Sequence, residues 1–350
     1  MKKFCVKAHC AVVAIGMACA GAQAGGDIQV IYSEIAGHPT AQIPGFLDLA
    51  GMPLAAEFKA LEDLTLSPDG SMWILKGRAL SDSDIEEILL IGSGNSGTML
   101  AQAGQPVAAG EPGELYDFFD ASAGFNTNND FVFGARARNG DTTIKEKIIR
   151  SIGGNFEMML TESAPINGML DIGVSGDELC GNSMNGAHIL DDGRVGVVDL
   201  STQNVSTLRR PVLLYAGDPP AVNGFNINAF LQSGVTPIDV DIWDSFDSED
   251  FFTTADGAHY MVQGDDEGAT ATDDILVLDG NVVIRENSMI GASGVVAIDV
   301  FQFRLANNGD WAARGDDPNS ADWAVVNGNL VAKTGDPITS VRGIEAWGDA

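Results

Sequence analysis

The chain has 350 residues, of which 49 are Asp or Glu and 19 are Lys or Arg, so its formal net charge at pH 7 is −30. A surface this acidic repels nucleic acid and anionic lipid headgroups, which excludes both as partners. The length is sufficient for one large domain or for two smaller ones.

The N-terminal residues have the pattern of a cleaved secretory signal. Three lysines precede an apolar run at 11–20, which is too short to span a bilayer, and an A-x-A motif follows at 22–24. This pattern predicts a signal peptide over 1–24, cleavage after Ala24, and a secreted or periplasmic mature protein. No later segment is apolar over a membrane-spanning length, so no integral membrane segment is expected.

Cysteine usage excludes a disulfide framework. Three of the four cysteines fall within the predicted signal, and Cys180 alone follows it. A secreted chain with one cysteine forms no internal disulfide, so its stability has to come from core burial and from any bound ions. Cys180 itself is expected to be a small buried apolar residue.

A short turn followed by an apolar strand recurs along the chain. The first example is SPDG at 67–70, which leads into the apolar residues 72–75. Similar turns of Asn, Asp and Gly occur near Asn129, Asp192, Asp256 and Asn308. The turns are about 50–65 residues apart, and most intervals contain about four apolar runs separated by Gly, Asn or Asp.

Units of this length are typical of β-propeller blades. One four-stranded antiparallel sheet cannot bury both of its faces, whereas sheets stacked around an axis bury one another. A parallel β-helix has much shorter coils, and a β-sandwich rarely repeats so regularly. The sequence therefore predicts an all-β fold, a β-propeller of about six four-stranded blades in a single domain over 25–350. The repeat units are expected near 60–110, 120–166, 183–220, 240–290 and 298–338.

Each unit is also predicted to contain a later strand that leads to Gly or a small residue and often to Pro, although VVIRENSMI at 282–290 is a degraded example. MLAQAGQPV at 99–107 and LVAKTGDPI at 330–338 are examples, and VLLYAGDPP at 212–220 is assigned the same place in the third unit. Residues 28–40 match this ending, and residues 341–350 match an opening strand. The two ends are therefore predicted to share one blade. The chain stops where the next turn would fall, so either the sequence is cut short, which we favour, or the ring has a thin blade.

These repeats resemble known propeller families. The SPDG turn at 67–70 before an apolar strand resembles the repeats of Tol-type periplasmic propellers. The wider pattern resembles an uncharacterised family of secreted bacterial tandem-repeat proteins, in which an N-x-x-G-x-x-A-F-like strand alternates with a strand ending in G-D/Q-P. ANNGDWAARG at 306–315 with LVAKTGDPI at 330–338 is the best match. The resemblance extends over 28–350 and implies a propeller-like fold, without an established activity.

Acid-rich loops in the second half of the chain are the main candidates for binding a ligand. Calcium takes six to eight oxygen ligands, which such loops can supply, although none has the spacing of an EF-hand. The residues predicted to bind calcium are Asp239, Asp241, Asp244, Asp265, Asp266, Asp316 and Asp317. No other cofactor is predicted, since His38, His188 and His259 lack the spacing of metal ligands.

These features predict a binding or structural module that acts as a monomer on an unidentified protein or glycan ligand. The turn acids Asp69, Asp192 and Asp256 recur because such turns require them, so no catalytic residue is assigned. The alternative is a propeller-type glycoside hydrolase or lyase, acting on extracellular polysaccharide with a carboxylate pair. Two or three acids near the propeller axis, beside Trp73 or Trp311, would favour that enzyme.

Overall fold

The computed structural model describes residues 30–140, 143–168, 177–204, 211–218, 225–247, 251–340 and 343–346. Within these ranges the regular structure is β-strand, apart from one 3-10 helix at Pro39–Ala41. Nothing helical in the described ranges is long and apolar enough to cross a membrane. The predicted signal peptide at 1–24 lies outside the described residues.

Most strands belong to five four-stranded sheets, termed blades 1 to 5 in chain order. Blade 1 comprises β1 (Phe58–Leu66), β2 (Met72–Ala79), β3 (Glu87–Ser93) and β4 (Ser96–Gln102). Blade 2 comprises β5 (Glu114–Phe125), β6 (Phe131–Asn139), β7 (Thr143–Ile152) and β8 (Asn155–Thr161). Blade 3 comprises β9 (Met184–Ile189), β10 (Val195–Asp199), β11 (Val212–Asp218) and β12 (Asn226–Gln232). A small pair, β13 (Pro237–Ile238) and β14 (Asp241–Ile242), precedes blade 4.

Blade 4 comprises β15 (Phe251–Thr253), β16 (Tyr260–Asp265), β17 (Asp274–Leu278) and β18 (Asn281–Arg285). Blade 5 comprises β19 (Asp299–Leu305), β20 (Trp311–Asp316), β21 (Asp322–Val326) and β22 (Asn329–Lys333). A final pair, β23 (Pro337–Ser340) and β24 (Gly343–Ala346), follows.

Every blade is an antiparallel meander in which consecutive strands are neighbours. In the first turns of blades 1 and 4, Gly70 and Gly257 both adopt a φ of 70°, a conformation that costs glycine little. The second and third strands are largely buried, as in β10, because neighbouring blades cover both of their faces. The prediction of an all-β fold built from four-stranded sheets is confirmed.

The first strands of the blades line a common axis. In the contacts between elements, β1 meets β5, β5 meets β9, β9 meets β15, and β15 meets β19. Hydrogen bonds also link the turns that follow these strands. The Thr127 N–H donates to Asp191 Oδ1 at 2.9 Å, and the Asp191 N–H donates to the Ala255 carbonyl at 2.6 Å. The Ala255 N–H continues to Asn307 Oδ1 at 3.2 Å, so the turns of blades 2 to 5 lie on one face of a propeller.

A charge on the inner strand of blade 5 acts on the inner strand of blade 1. Burial raises the pKa of Asp63 on β1. A hydrogen bond from Leu64, together with the positive charges of Lys76 and of Arg304 on β19, partly opposes this increase. The charge on β19 can act on β1 because the inner strands surround the same axis.

The hydrophobic core lies between the blades. Separate buried clusters join blades 1 and 2, 2 and 3, 3 and 4, and 4 and 5. Between blades 2 and 3, for example, Ile148 and Leu160 belong to the same cluster as Met184 and Val197. Each fully buried aliphatic side chain contributes roughly 1.5–3 kcal/mol to stability. Cys180 lies in this cluster with no exposed surface, which confirms its predicted role.

The predicted sixth blade is not confirmed, since five blades occur in the described residues and parts of both chain ends lie outside them. Of the expected strand at 28–40, the described part contains the start of the 3-10 helix instead, since Gly37 has a φ of 77° and Pro39 follows it. Beyond it, Ile43 and Phe46 pack on the face of blade 1 that points away from blade 2. At the other end, β24 pairs with β23. An irregular segment therefore covers blade 1 where another blade was expected.

Blade 3 differs from expectation in its last two strands. The apolar run that forms β11 was predicted to be the final strand, but it lies between β10 and β12. The fourth strand, β12, begins after the expected end of this unit at 220. Because AGDPP matches the expected Gly and Pro ending, the repeat pattern assigns the final place to β11 and leaves β12 unassigned.

Gly315 is expected to tolerate no side chain. It pairs with Trp323 on the neighbouring strand, and a Cβ here would lie 1.8 Å from the Asp299 carbonyl oxygen and 2.7 Å from the Trp323 ring. Because neither the backbone nor the buried ring can move far, Gly315→Ala is expected to lower the free energy of unfolding by about 3 kcal/mol or more. Urea titration measures this loss, and a value under about 0.5 kcal/mol would contradict such tight packing.

Candidate functional site

The propeller has two faces with different connections. The turn face carries the turns between first and second strands, and the opposite, loop face carries the connections from second to third strands and from blade to blade. Loops held by a rigid scaffold are the usual place for binding residues. The loop face includes the beginnings of first and third strands and the ends of second and fourth strands.

The turn acids lie on the turn face, where they cap turns. Asp69 Oδ1 accepts hydrogen bonds from the Ser71 N–H at 2.9 Å and the Ser67 hydroxyl at 2.7 Å, and these bonds lower the pKa of Asp69 to about 2. Asp192 and Asp256 each accept the N–H two residues ahead at 3.0 Å. Their recurrence is explained by turn chemistry, as the sequence indicated.

Three of the predicted calcium residues lie near one arginine. Arg285, at the end of β18, contacts Asp266 at 2.7 Å through Nη1 and lies 3.7 Å from Asp239 through Nη2. A Cβ at Gly268 would lie 3.5 Å from Asp241 Oδ2, which places Asp241 beside the same loop. At this position the chain supplies its own positive charge.

Asp317 is paired in a similar way. Its Oδ2 lies 2.5 Å from Lys333 Nζ, and its Oδ1 accepts the N–H groups of Asn319 and Ala321 at 2.8 and 3.0 Å. The Lys333 contact and the backbone bonds hold the pKa of Asp317 at about 2. Asp244, in contrast, is exposed.

The remaining two predicted calcium ligands belong to a set of aspartates that face one another across neighbouring strands. In blade 4, Asp265 at the end of β16 lies opposite Asp274 at the start of β17. In blade 5, Asp316 at the end of β20 lies opposite both Asp299 on β19 and Asp322 on β21. These five residues, all at the loop-face ends of their strands, are termed the aspartate row.

Like charges at opposite positions of a sheet destabilise it. Burial, followed by repulsion from neighbouring carboxylates that include Asp247, raises the pKa of Asp274 to about 7. Burial and the contact with Asp322 likewise raise the pKa of Asp316. At neutral pH Asp274 therefore either retains its proton or requires positive charge from another source.

For Asp265, Asp274 and Asp299, the described part of the chain does not supply that charge. No basic side chain there forms an ion pair with Asp265, Asp274 or Asp299, and the nearby Arg285 and Lys333 are already paired. Nor do three acidic, histidine or cysteine side chains in the described ranges converge closely enough for a preformed metal site. A cation could bind only after carboxylate side chains turn towards it.

A second acidic site, which the sequence did not reveal, lies in blade 2. Glu146 on β7 has a side chain that is 1% exposed, and Asp120 on β5 adjoins it. Both oxygens of Glu146 and Oδ2 of Asp120 are buried, and no donor in the described residues reaches hydrogen-bonding geometry with them. Arg136 Nε lies 3.8 Å from Glu146 Oε1, which is too long for a hydrogen bond.

These two carboxyl groups are best satisfied by sharing a proton. Burial, followed by the charge of Asp120 and a hydrogen bond to it, raises the pKa of Glu146 to about 8, against the weaker influence of the Met184 N–H and Arg136. Burial also raises the pKa of Asp120. At neutral pH Glu146 therefore keeps its proton and shares it with Asp120.

Glu146 also forms part of the wall of a pocket of about 230 Å³ between blades 2 and 3. The other residues lining it are Arg136, Ile144, Glu162 and Asn182. The Arg136 guanidinium lies 5.8 Å from the centre of the Phe118 ring. Asn182 Oδ1 accepts a hydrogen bond from the Ser201 hydroxyl at 3.0 Å. The pocket therefore combines a cation, carboxyl groups and an amide.

The tryptophans named for an enzyme site lie in the core. Trp73 and Trp311 are 3% and 7% exposed, and Trp73 Nε1 donates to the Gly94 carbonyl at 3.0 Å. Neither ring offers a surface on which a sugar could stack. Their burial removes the aromatic feature that would have favoured a polysaccharide-acting enzyme.

No protein-family model matches the chain, and no curated protein matches it. Among solved structures, prolyl oligopeptidase B from Galerina marginata is 14% identical with a TM-score of 0.42, covering 85% of this chain, which spans 37% of that longer protein. Regucalcin from Agrobacterium tumefaciens, a calcium-binding protein, is 12% identical with a TM-score of 0.35, covering 76% of this chain and 71% of its own. A thermostable family-43 glycoside hydrolase is 13% identical with a TM-score of 0.34, and the match covers 83% of this chain and 94% of the hydrolase. TM-scores below 0.5 carry no argument, so the fold rests on the strand pairing and no function follows from these similarities.

Proposed function

We propose that the protein is an exported acidic binding module that takes up calcium through the aspartate row on its loop face. The observation that carries the proposal is the opposition of Asp265 to Asp274, and of Asp299 to Asp316, without a basic partner among the described residues. The overall charge of −30 agrees with a shortage of neutralising basic side chains.

Calcium suits this arrangement better than magnesium does. It accepts six to eight oxygen ligands in flexible geometry, whereas magnesium requires near-ideal octahedral geometry and loses its water reluctantly. Carboxylates at the ends of adjacent strands can approach a calcium ion by side-chain rotation, with water completing the shell. Neutralising them would remove the repulsion within both blades, so calcium binding and stability are expected to rise together.

The remaining parts of the proposal concern location and partner. The signal pattern at 1–24 supports export to the periplasm or the exterior, where millimolar calcium suits weak sites. A calcium-bound loop face would present a less negative surface to a protein or glycan partner, and one propeller copy suffices for this role. We therefore propose a monomeric module with a protein or glycan ligand.

The competing proposal, a polysaccharide hydrolase or lyase, is supported by the carboxyl groups of Asp120 and Glu146. The pairs used by glycoside hydrolases are about 5–9.5 Å apart, which leaves room for the sugar carbon or a water molecule. Carboxyl groups that share a proton are in contact and leave no such room. The module is therefore the better supported function.

Thermal unfolding in calcium and in excess chelator tests the proposal. At a calcium concentration of about 100 Kd the folded state gains about 2.7 kcal/mol, so the midpoint is expected to rise by about 5 °C or more. Ionic strength has to be held constant, because any salt screens so acidic a protein. Equal midpoints in calcium and in matched sodium chloride would overturn the proposal.

Asp274→Asn sharpens this test. The substitution removes one repelling charge, so it is expected to raise the midpoint in chelator and to reduce the shift that calcium produces. Asp84→Asn, which removes the same charge from an exposed loop of blade 1, is the matched control and should leave the calcium shift unchanged. A calcium shift that survives in Asp274→Asn at full size would place the ion elsewhere.

A further inference from the structure

We propose that a rigid apolar loop at 47–54, on the loop face beside blade 1, binds a protein segment in which apolar side chains are flanked by Lys or Arg. The loop exposes three large apolar side chains, and acidic side chains lie next to it. This surface is separate from the aspartate row of blades 4 and 5. The proposal therefore goes beyond the calcium site and does not depend on it.

The loop keeps much of three large side chains in water. Leu49, Met52 and Leu54 are 58%, 61% and 44% exposed. Single exposed apolar side chains are ordinary on a protein surface, whereas several together mark a place where a partner binds. Methionine is common at such places, because its flexible side chain fits apolar partners of different shapes.

Hydrogen bonds hold the loop in one conformation. Asp48 Oδ1 accepts the N–H groups of Ala50 and Met52 at 2.9 and 2.8 Å. Gln102, which is buried at the loop-face end of β4, accepts the Leu47 N–H at 3.0 Å and donates to the Leu47 carbonyl at 2.6 Å. A loop that is already ordered loses little conformational entropy on binding. The loop is therefore prepared to present its apolar side chains to a partner.

Acidic side chains beside the loop determine the charge of that partner. A Cβ at Gly104 would lie 3.0 Å from Leu49 Cδ2 and 3.2 Å from the Asp84 carbonyl oxygen, so Leu49 and Asp84 are neighbours. Asp82 and Asp84 are both exposed, and no basic side chain in the described part of the chain pairs with them. An apolar loop with an acidic border is complementary to an apolar segment with a basic border.

Three other occupants fit the loop less well. Segments that enter a lipid surface carry aromatic or basic side chains, and LDLAGMPL at 47–54 contains neither. A glycan stacks on aromatic rings, which the loop also lacks. A second copy of the chain would bring the same acidic border and a net charge of −30, so two copies would repel each other. The side chains and charges therefore favour a basic protein segment.

Fluorescence anisotropy with labelled peptides tests the proposal. The mature chain is titrated in excess chelator, so that the result does not depend on calcium, and at a salt concentration of about 0.15 M. An amphipathic peptide of leucine and lysine is expected to bind at least tenfold more tightly than a peptide of serine and lysine with the same length and charge. Equal affinities would show only general attraction to an acidic surface, and they would overturn the proposal, as would a leucine-lysine peptide that does not bind.

Apolar variants locate the site on the loop. Leu49→Ser and Met52→Ser are each expected to weaken binding of the leucine-lysine peptide at least tenfold. Val240→Ser is the matched control, because Val240 is 86% exposed between β13 and β14, far along the chain from the loop, and should leave binding unchanged. Unchanged affinity in both loop variants would overturn the assignment.

Asp84→Asn tests the acidic border. It is expected to weaken peptide binding severalfold and to reduce its salt dependence, whereas Glu267→Gln, from an exposed loop of blade 4, serves as the control. Light scattering and sedimentation with phosphatidylcholine vesicles examine the other occupants. Self-association or vesicle binding that Leu49→Ser abolishes would overturn the proposal in favour of a second copy or a lipid surface.

Discussion

Raising the pH from 5 to 8 is expected to lower the free energy of unfolding by several kcal/mol through Glu146. The pKa of this group rises from an ordinary value of 4.5 to about 8 on folding. Between these two values the folded chain holds a proton that the unfolded chain has lost, so stability falls as pH rises. This contribution is constant below pH 4.5 and above pH 8, and each unit of pKa shift corresponds to about 1.4 kcal/mol.

Glu146→Gln isolates this effect. The amide keeps the shape, donates a hydrogen bond to Asp120 and does not ionise, so the variant should be about 2–4 kcal/mol more stable than the natural chain at pH 8. Near pH 5 the two proteins should differ little. Urea titrations at four pH values measure the difference, with Glu162→Gln, from the same pocket, as the control. Parallel pH curves for Glu146→Gln and the natural chain would show that the carboxyl pair shares no proton.

The blades could be predicted from sequence because each one depends on local turn chemistry. Residues such as Asp69 and Gly70 fix a tight turn within a few positions, so their recurrence marks strands without knowledge of the tertiary structure. The prediction was wrong for the third unit, where β11 is followed by a further strand, β12, and the blade expected at the chain ends is not confirmed. There, burial of Ile43 and Phe46 against blade 1 takes precedence over the resemblance of 28–40 to a strand.

The acidic sites were less predictable, because cross-strand position decides which acids meet. Asp266 and Asp317 stand in dense acidic loops, yet Arg285 and Lys333 neutralise them. Asp299 has no acidic neighbour in sequence that suggested a site, yet strand pairing brings it opposite Asp316. Such a relation between residues on different strands requires the register of the sheet, which composition and spacing do not contain.

The carboxyl pair in blade 2 was missed for a related reason. Asp120 and Glu146 lie on strands where a lone acid ordinarily faces solvent, and they are on non-adjacent strands of the sheet. A register shift between Phe119 and Ala123 lies beside Asp120. Irregular pairing of this kind can redirect a side chain. Sequence periodicity assumes regular pairing, so it could not place these two residues together.

Lowering the pH from 6.5 to 4 is expected to cost about 3 kcal/mol of stability through His188. The ring is buried 4.8 Å from the Phe251 ring and stands directly over Gly196, where a Cβ would lie 2.3 Å from it. Burial, partly opposed by the Gly186 carbonyl near Nδ1, lowers the pKa of His188 from 6.5 to about 4. In this pH range the unfolded chain binds a proton that the folded chain does not, so stability falls with falling pH. The contribution of the neutral His188 ring to stability is fully present above pH 6.5.

His188→Phe keeps the aromatic contacts and removes the titrating group. Nε2 of His188 has no hydrogen-bond partner in the described residues, so its loss leaves no new unsatisfied group. Between pH 6.5 and 4, the free energy of unfolding of the variant should fall less steeply with falling pH than that of the natural chain. The difference in slope should be about 1.4 kcal/mol per pH unit, whatever the stability of the variant at neutral pH. His188→Leu serves the same purpose should the larger ring not fit over Gly196.

His38→Gln provides the control, because it removes an exposed histidine outside blade 3. The aspartates also titrate below pH 5, so the difference between variant and natural chain, rather than either curve alone, carries the information. NMR titration of the His188 ring gives an independent measurement. A ring that takes up its proton near pH 6.5 in the folded protein would show that water reaches it, and the tight packing between blades 3 and 4 would then be wrong at this position.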